Sequence, residues 1–211
     1  MVPSTRSGTA ALAGVLAPVV ALQTYKNFVY LLLAFPLGMT YSMLLGFGFV
    51  LGMGLSVVAV GVAILLVLVV VVRVLTAFER WLTSRLLGVT LERSDDVASG
   101  KGARGTIAAY LDDRATWRGL GFLTLKFWLG IAGLILTVAF ATVLSMMSSV
   151  ARLPHDVEFG ELNGEPVVWS IETLPEAAVA VAIGSAIAVF LVHLTNGFAH
   201  VARRMAVSLL G

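Results

Sequence analysis

Apolar and polar positions in this chain are segregated on the scale of whole helices. From Asn27 to Val72 no residue carries a charge. At about 1.5 Å of rise per helical residue, that run exceeds one crossing of a roughly 30 Å hydrocarbon core. It must therefore turn back once. The pattern predicts helices over about 28–47 and 55–73. They meet in GFGFVLGMG, where Gly46, Gly48, Gly52 and Gly54 suit a tight turn. Gly48 and Gly52 also have the four-residue spacing of a close helix contact. Two more apolar runs predict spans at about 120–146 and 177–197. In the last, Ala180, Gly184 and Ala188 form a stripe of small residues suited to helix packing.

The segments between these runs have patterns of their own. In Val74–Gly88, Leu75, Phe78, Leu82, Leu86 and Val89 recur at three- and four-residue spacing. Glu79, Arg80, Thr83 and Ser84 lie mostly off that stripe. A helix is expected there, lying along the inner membrane surface or against a partner, with Gly88 as its stop. VASGKGARG reads as a linker, and Thr106–Leu111 as a short helical turn. Farther on, VEFGEL and EPVVWSIE flank Asn163–Gly164, the strongest short signal for a two-residue β-hairpin. An isolated hairpin is marginal, so this one is expected to rest on helix ends through Phe159, Val168 or Trp169. Ahead of the first span, Arg6 precedes Ala10–Leu22, with Pro18 inside it. That run is short for a span and suits an interfacial or re-entrant helix. A signal peptide is the rival reading, although no small-x-small site follows.

One stretch occurs twice. Thr24–Gly38, TYKNFVYLLLAFPLG, returns 92 residues later as Thr116–Gly130, TWRGLGFLTLKFWLG. Without a gap the copies share Thr, three Leu, Phe and Gly. Tyr25 faces Trp117, Lys26 faces Arg118, and Tyr30 faces Phe122. Each copy reads as an aromatic–basic anchor followed by an apolar run, the way a membrane helix begins on the cytoplasmic side. Arg80 and Arg203 each stand eight residues before a Gly that closes an LLG triplet, Gly88 and Gly211. The pattern predicts two helix hairpins of the same sense, related by an axis along the membrane normal.

Composition agrees with this class. The chain is 59% hydrophobic and only 12% charged, about half the charge of soluble domains. The fold class is an all-α polytopic membrane protein: four transmembrane helices in two parallel-repeat hairpins, with a small extracytoplasmic β-hairpin. Charge orients it. Eight basic residues (Arg73, Arg80, Arg85, Arg93, Lys101, Arg104, Arg114, Arg118) and six acidic ones (Glu79, Glu92, Asp95, Asp96, Asp112, Asp113) surround the loop 74–118. The positive-inside rule counts the basic residues and makes that loop cytoplasmic. The 151–176 loop carries Asp156, Glu158, Glu161, Glu165, Glu172 and Glu176 against Arg152 alone, and belongs outside. Residues 1–26 form a cytoplasmic or interfacial start, 27–198 the membrane domain, and 199–211 a cytoplasmic end with His200, Arg203 and Arg204. Both termini are thus expected inside, at the cell membrane. A formal net charge of +2 is too small to imply nucleic acid. The expected partners are the bilayer, another membrane or cytoplasmic signalling protein, or a second copy.

Candidate chemistry is sparse. The absence of cysteine excludes disulfides, thiolate chemistry and Cys-ligated metals. No H-E-x-x-H, P-loop or G-x-S-x-G motif occurs, so neither an enzyme nor a cofactor is expected. His193 and His200 share a helix face, whereas haem in a bundle usually needs histidines on facing helices. The outer acids lack the spacing of a calcium loop. Candidates for outer interaction are Asp156, Glu158, Phe159, Glu161, Glu165 and Trp169. Those for inner interaction are Phe78, Arg80, Trp81, Arg203 and Arg204. Lys126 and His193 are the polar candidates within the spans. Lys126 sits roughly 12 Å deeper along its helix than Arg118. An ionisable group at such depth is a functional candidate, and the expected arrangement is snorkelling back to the inner interface.

The runs YLLLAFPLGMTYSMLLGFGF, GLSVVAVGVAILLV, FERWLTSRLLGV and DDRATWRGLGFL resemble the prokaryotic "putative sensor" membrane domain. The resemblance covers about Tyr25 to Phe198. It implies a four-helix membrane module of the kind often found ahead of a cytoplasmic histidine kinase, and also found by itself. It carries over no ligand residues. Past helix 4 the chain has no phosphoacceptor helix or nucleotide-binding domain, so it is expected to signal through another polypeptide. The leading reading is a stand-alone sensor-like or accessory module. The alternatives are a constitutive structural subunit of a membrane complex and, from the repeat and Lys126, a small transporter or channel.

Overall fold

The computed structural model describes residues 14–91 and 113–211. Four long helices carry the chain: α1 (Leu22–Gly54), α2 (Val60–Leu87), α3 (Arg114–Ser148) and α4 (Leu174–Leu210). Strands β1 (His155–Leu162) and β2 (Glu165–Ile171) lie between α3 and α4. All four helices are long and apolar enough to cross a membrane, and the chain is a multi-pass helical membrane protein. Each helix outruns the apolar segment that predicts it, because propagation adds a hydrogen bond per residue once a helix is nucleated. Residues 14–20 are also helical, with a break at Ala21. The rest of the expected Ala10–Leu22 helix, the VASGKGARG linker and the Thr106–Leu111 turn lie outside the described residues.

The α1–α2 turn falls later than the glycines suggest. α1 stays helical to Gly54, and the chain reverses through a 3₁₀ turn, Ser56–Val58, and Ala59 at φ 38°. Gly48 and Gly52 lie inside α1 and face the side chains of Leu68 and Leu65. In an apolar surrounding a helix keeps its backbone hydrogen bonds inside the segment, so these glycines serve packing. At the other end of α2, Gly88 adopts φ 67° and stops the helix as expected.

The chain forms two compact units. One comprises Met1–Tyr25 and Leu134–Gly197. Its hairpin turns at Asn163 and Gly164, both at positive φ, with Leu162 paired to Glu165. That is the two-residue turn the sequence predicts. Val157 and Ile171 are fully buried with Met146, Ala177 and Ala180, and Trp169 packs beside them. Phe159 and Val168, named as anchors from the sequence, are 50% and 41% exposed. The pleat explains Val168, since Trp169 and Ile171 share the other face. Phe159 is displaced by the irregularity in pairing between Glu158 and Glu161. Gly184 lies against the side chains of Met146 and Met147, so the small-residue stripe packs within this unit. Glu176 accepts the N–H groups of Glu172 and Thr173 at 3.0 and 3.1 Å, capping the start of α4. Ser145 Oγ lies 2.9 Å from His155 Nε2.

The other unit comprises Lys26–Gly133 and Phe198–Gly211. Its apolar core is Tyr41, Leu45, Val72, Phe122, Leu123, Ala206 and Leu210. Gly38 of α1 lies on the backbone of Lys126 and Phe127, and Gly130 of α3 on the backbone of Ala34 and Phe35. A Cβ on Gly130 would stand 2.6 Å from the Ala34 carbonyl oxygen, so only glycine allows this approach. Ala34 and Phe35 are the repeat counterparts of Lys126 and Phe127. The contact is therefore reciprocal, a local two-fold between the copies. Gly133 against Leu31 extends it. The paired positions rise along α1 as they fall along α3, so this two-fold runs across the helices.

Candidate functional site

The second half of α2 departs in part from the expected exposure: Leu82 is buried as the stripe predicts, but its polar neighbours are buried too. Thr76, Glu79 and Thr83 are buried, while Phe78 and Trp81 are exposed and stack with ring centroids 5.9 Å apart. In a membrane helix the apolar side turns to lipid and the polar side to other helices. Three elements meet on that polar side. Glu79 and Thr83 are one turn apart on α2. Phe122 and Lys126 have the same spacing on α3. Tyr30 and Tyr41 are eleven residues apart, about three turns of α1, so they share a face. The glycine contacts bring α1 against α3 at this level.

The result is a buried charge cluster. Lys126 Nζ donates to Glu79 Oε2 at 2.8 Å, and both side chains are 0% exposed. Tyr41 Oη donates to Glu79 Oε1 at 2.9 Å. Each carboxylate oxygen thus has a donor. The ammonium also lies 3.9 Å from the Tyr30 ring centroid and 6.0 Å from that of Phe122. A cation over an aromatic face recovers part of its lost hydration. The Tyr30 hydroxyl and Thr83 Oγ1 are buried with no hydrogen-bond partner among the described residues. The arrangement holds two opposite charges in low dielectric, where their attraction is strong and losing either is costly. The snorkelling expected for Lys126 does not occur, because a buried carboxylate lies within reach. Glu79, read from the sequence as off the apolar stripe of a surface helix, is that partner.

A second ion pair stands where α3 begins. Arg73 pairs with Asp113, and its Nε donates to Thr116 Oγ1 at 3.1 Å. Asp113 Oδ1 accepts the Ala115 N–H at 2.9 Å. Burial pushes the Asp113 carboxyl up, but the Ala115 N–H and the Arg73 guanidinium outweigh it and hold the group below its ordinary value.

The remaining sequence candidates are dispersed. Asp156, Glu158, Glu161 and Glu165 are exposed on the hairpin, with Phe159 exposed and Trp169 partly buried. His193 donates its Nδ1 hydrogen to the Val189 carbonyl of its own helix at 2.9 Å, outside the charge cluster. Among the described residues no three His, Asp or Glu side chains converge on a metal position. Arg203 and Arg204 line a crevice with His200, and Phe78, Arg80 and Trp81 are not part of it. Sequence reasoning singled out Lys126 but missed Glu79 and Tyr41. Two signals were available: a lone carboxylate flanked by apolar helix, and tyrosines three turns apart on one face.

No curated protein and no solved structure matches the chain. The model of a family described as "Putative sensor" matches residues 30–210, from the tyrosine beneath Lys126 to the last residue of α4. By this match over most of its length, the chain belongs to the "Putative sensor" family.

Proposed function

We propose that this membrane domain is a sensor-like or accessory module whose state is read by a partner protein. Family membership supports the general role, and the buried Glu79–Lys126 pair is the observation that carries the mechanism. A buried ion pair is seldom more stabilising than apolar packing of the same volume. One that ties α1, α2 and α3 together suits an element with two arrangements better than a plain brace. The acidic hairpin faces outward and meets a ligand, an envelope component or a partner. The His200–Arg204 end of α4 faces the cytoplasm, by the positive-inside rule. α3 bears Met146 beneath the hairpin and Lys126 in the pair. A displacement of α3 then changes the Lys126–Glu79 contact and shifts α2, whose exposed Phe78 and Trp81, with Arg80, present the altered face.

The test begins with the full chain purified from its native membrane in mild detergent, with co-purifying proteins identified. Cross-linking yield to that partner is then compared between the intact chain and one lacking Asp156–Ile171. The sensor reading expects insertion to survive and the stimulus-dependent change in yield to vanish. A change that persists without the hairpin would overturn it. A stoichiometric partner whose cross-linking never depends on stimulus would favour the second reading, a constitutive subunit docked on the exposed Phe78–Trp81 face. Because the chain has no cysteine, Glu161→Cys and Arg204→Cys report orientation by labelling from either side. Labelling of both from the same side would refute the orientation.

A further inference from the structure

We infer that the crevice between the end of α2 and the last turns of α4 binds a phosphate group. The crevice has a volume of about 520 Å³ and is lined by Gly88, Val89, Thr90, His200, Arg203, Arg204, Val207 and Ser208. His200, Arg203 and Arg204 fall at i, i+3 and i+4, so α4 presents them on one face. Among the described residues no carboxylate lines the crevice. Arg203 is oriented by donating a terminal nitrogen to Asn27 Oδ1 at 3.0 Å. A guanidinium matches a phosphate group through charge-assisted N–H···O bonds. Arg204, exposed at the rim, supplies a second guanidinium. The negative end of the α2 dipole offsets part of this charge, but two arginines exceed it. Thr90 adds a hydroxyl group for a remaining phosphate oxygen, while that of Ser208 already donates to the Met205 carbonyl at 3.0 Å.

The phosphate can arrive on an anionic lipid headgroup or as a free ion, and Val89 and Val207 at the wall offer apolar contact only to the lipid. The inference goes beyond the sensor reading and does not depend on it. The test uses the full chain in a neutral detergent. Native mass spectrometry counts retained phosphatidylglycerol against phosphatidylcholine, and a thermal-shift titration uses inorganic phosphate. Phosphatidylglycerol should be retained preferentially. Arg204→Gln, at an exposed position, should weaken retention roughly fivefold, the effect of one basic residue at a lipid surface. Arg203→Gln/Arg204→Gln should weaken it further. Arg85→Gln, which removes the same charge outside the crevice, should leave it unchanged. Competition by inorganic phosphate would support the site with a free ion as the alternative source. Insensitivity to phosphate together with headgroup preference would assign it to lipid. Equal losses for Arg85→Gln and Arg204→Gln, or no preference between the two lipids and no shift with phosphate, would overturn the inference. Arg203→Gln alone could act through Asn27, so Arg204→Gln and His200→Gln carry the decision.

Discussion

The two copies of the repeated stretch use one pattern for two purposes. Tyr30–Gly38 on α1 and Phe122–Gly130 on α3 meet reciprocally, each glycine on the other's backbone. Tyr30 and Phe122 are both fully buried, as are Leu31 and Leu123. The copies differ in charge at one position. Where α1 has Ala34, α3 has Lys126, and both are fully buried. The alanine lets the backbones close. The lysine leaves the shared contact to reach Glu79 on α2, whose other oxygen is held by Tyr41 of α1. A symmetric packing contact thus carries a single asymmetric charge, and the sensor-like reading rests on that asymmetry.

Removing the asymmetry should have the largest effect. Lys126→Met leaves Glu79 buried without its counter-charge, and thermal unfolding in detergent should register a loss of about 3–5 kcal/mol. Lys126→Met combined with Glu79→Gln should recover much of it. If the double variant is as unstable as the single, the pair is not what holds Lys126. Tyr41→Phe deprives Glu79 Oε1 of its donor and should cost roughly 1.5–3 kcal/mol.

The symmetric part can be tested separately. Gly130→Ala and Gly38→Ala each push a methyl group into backbone on the opposite helix and should each cost about 1–3 kcal/mol. Comparable losses would sharpen the picture of a reciprocal contact. A large loss for one and none for the other would break it. Tyr30→Phe turns the first copy into the second at this position. Its hydroxyl has no partner among the described residues and its ring is kept, so stability should change by about 0.5 kcal/mol or less.

The smallest effect concerns the start of the second copy. The folded state holds Asp113 below its ordinary pKa. The stability this provides is present above the unfolded value and disappears as pH falls through the folded one. Asp113→Asn should lower the unfolding temperature at neutral pH by what the carboxylate provides, and flatten its fall with pH in that acid range. An acid limb equally steep in both proteins would remove Asp113 from the account.

Much of this was legible in one dimension. The class follows from an uncharged run too long for one crossing, and the Asn163–Gly164 hairpin from turn residues whose preference is local. The Gly88 stop is local too. The repeat was visible, since it is a statement about sequence alone. Its geometry was not, because a two-fold along the helices and one across them demand the same residues. The hairpin's true anchors, Val157 and Ile171, depend on pleat and pairing irregularity, which residue type does not announce.

Sequence by itself determined the number of long apolar helices, their approximate places, the hairpin turn and family membership. These depend on hydropathy and on backbone preferences of a few neighbouring residues. Tertiary structure alone decided that Lys126 is paired rather than snorkelling, and that α2 turns Glu79 inward and Phe78 outward. It also brought Arg203 and Arg204 to a crevice with Gly88–Thr90. Each of these is a meeting of residues far apart in the chain. Desolvating a charge is tolerable only where its partner is already in place, and no local pattern records that partner's position.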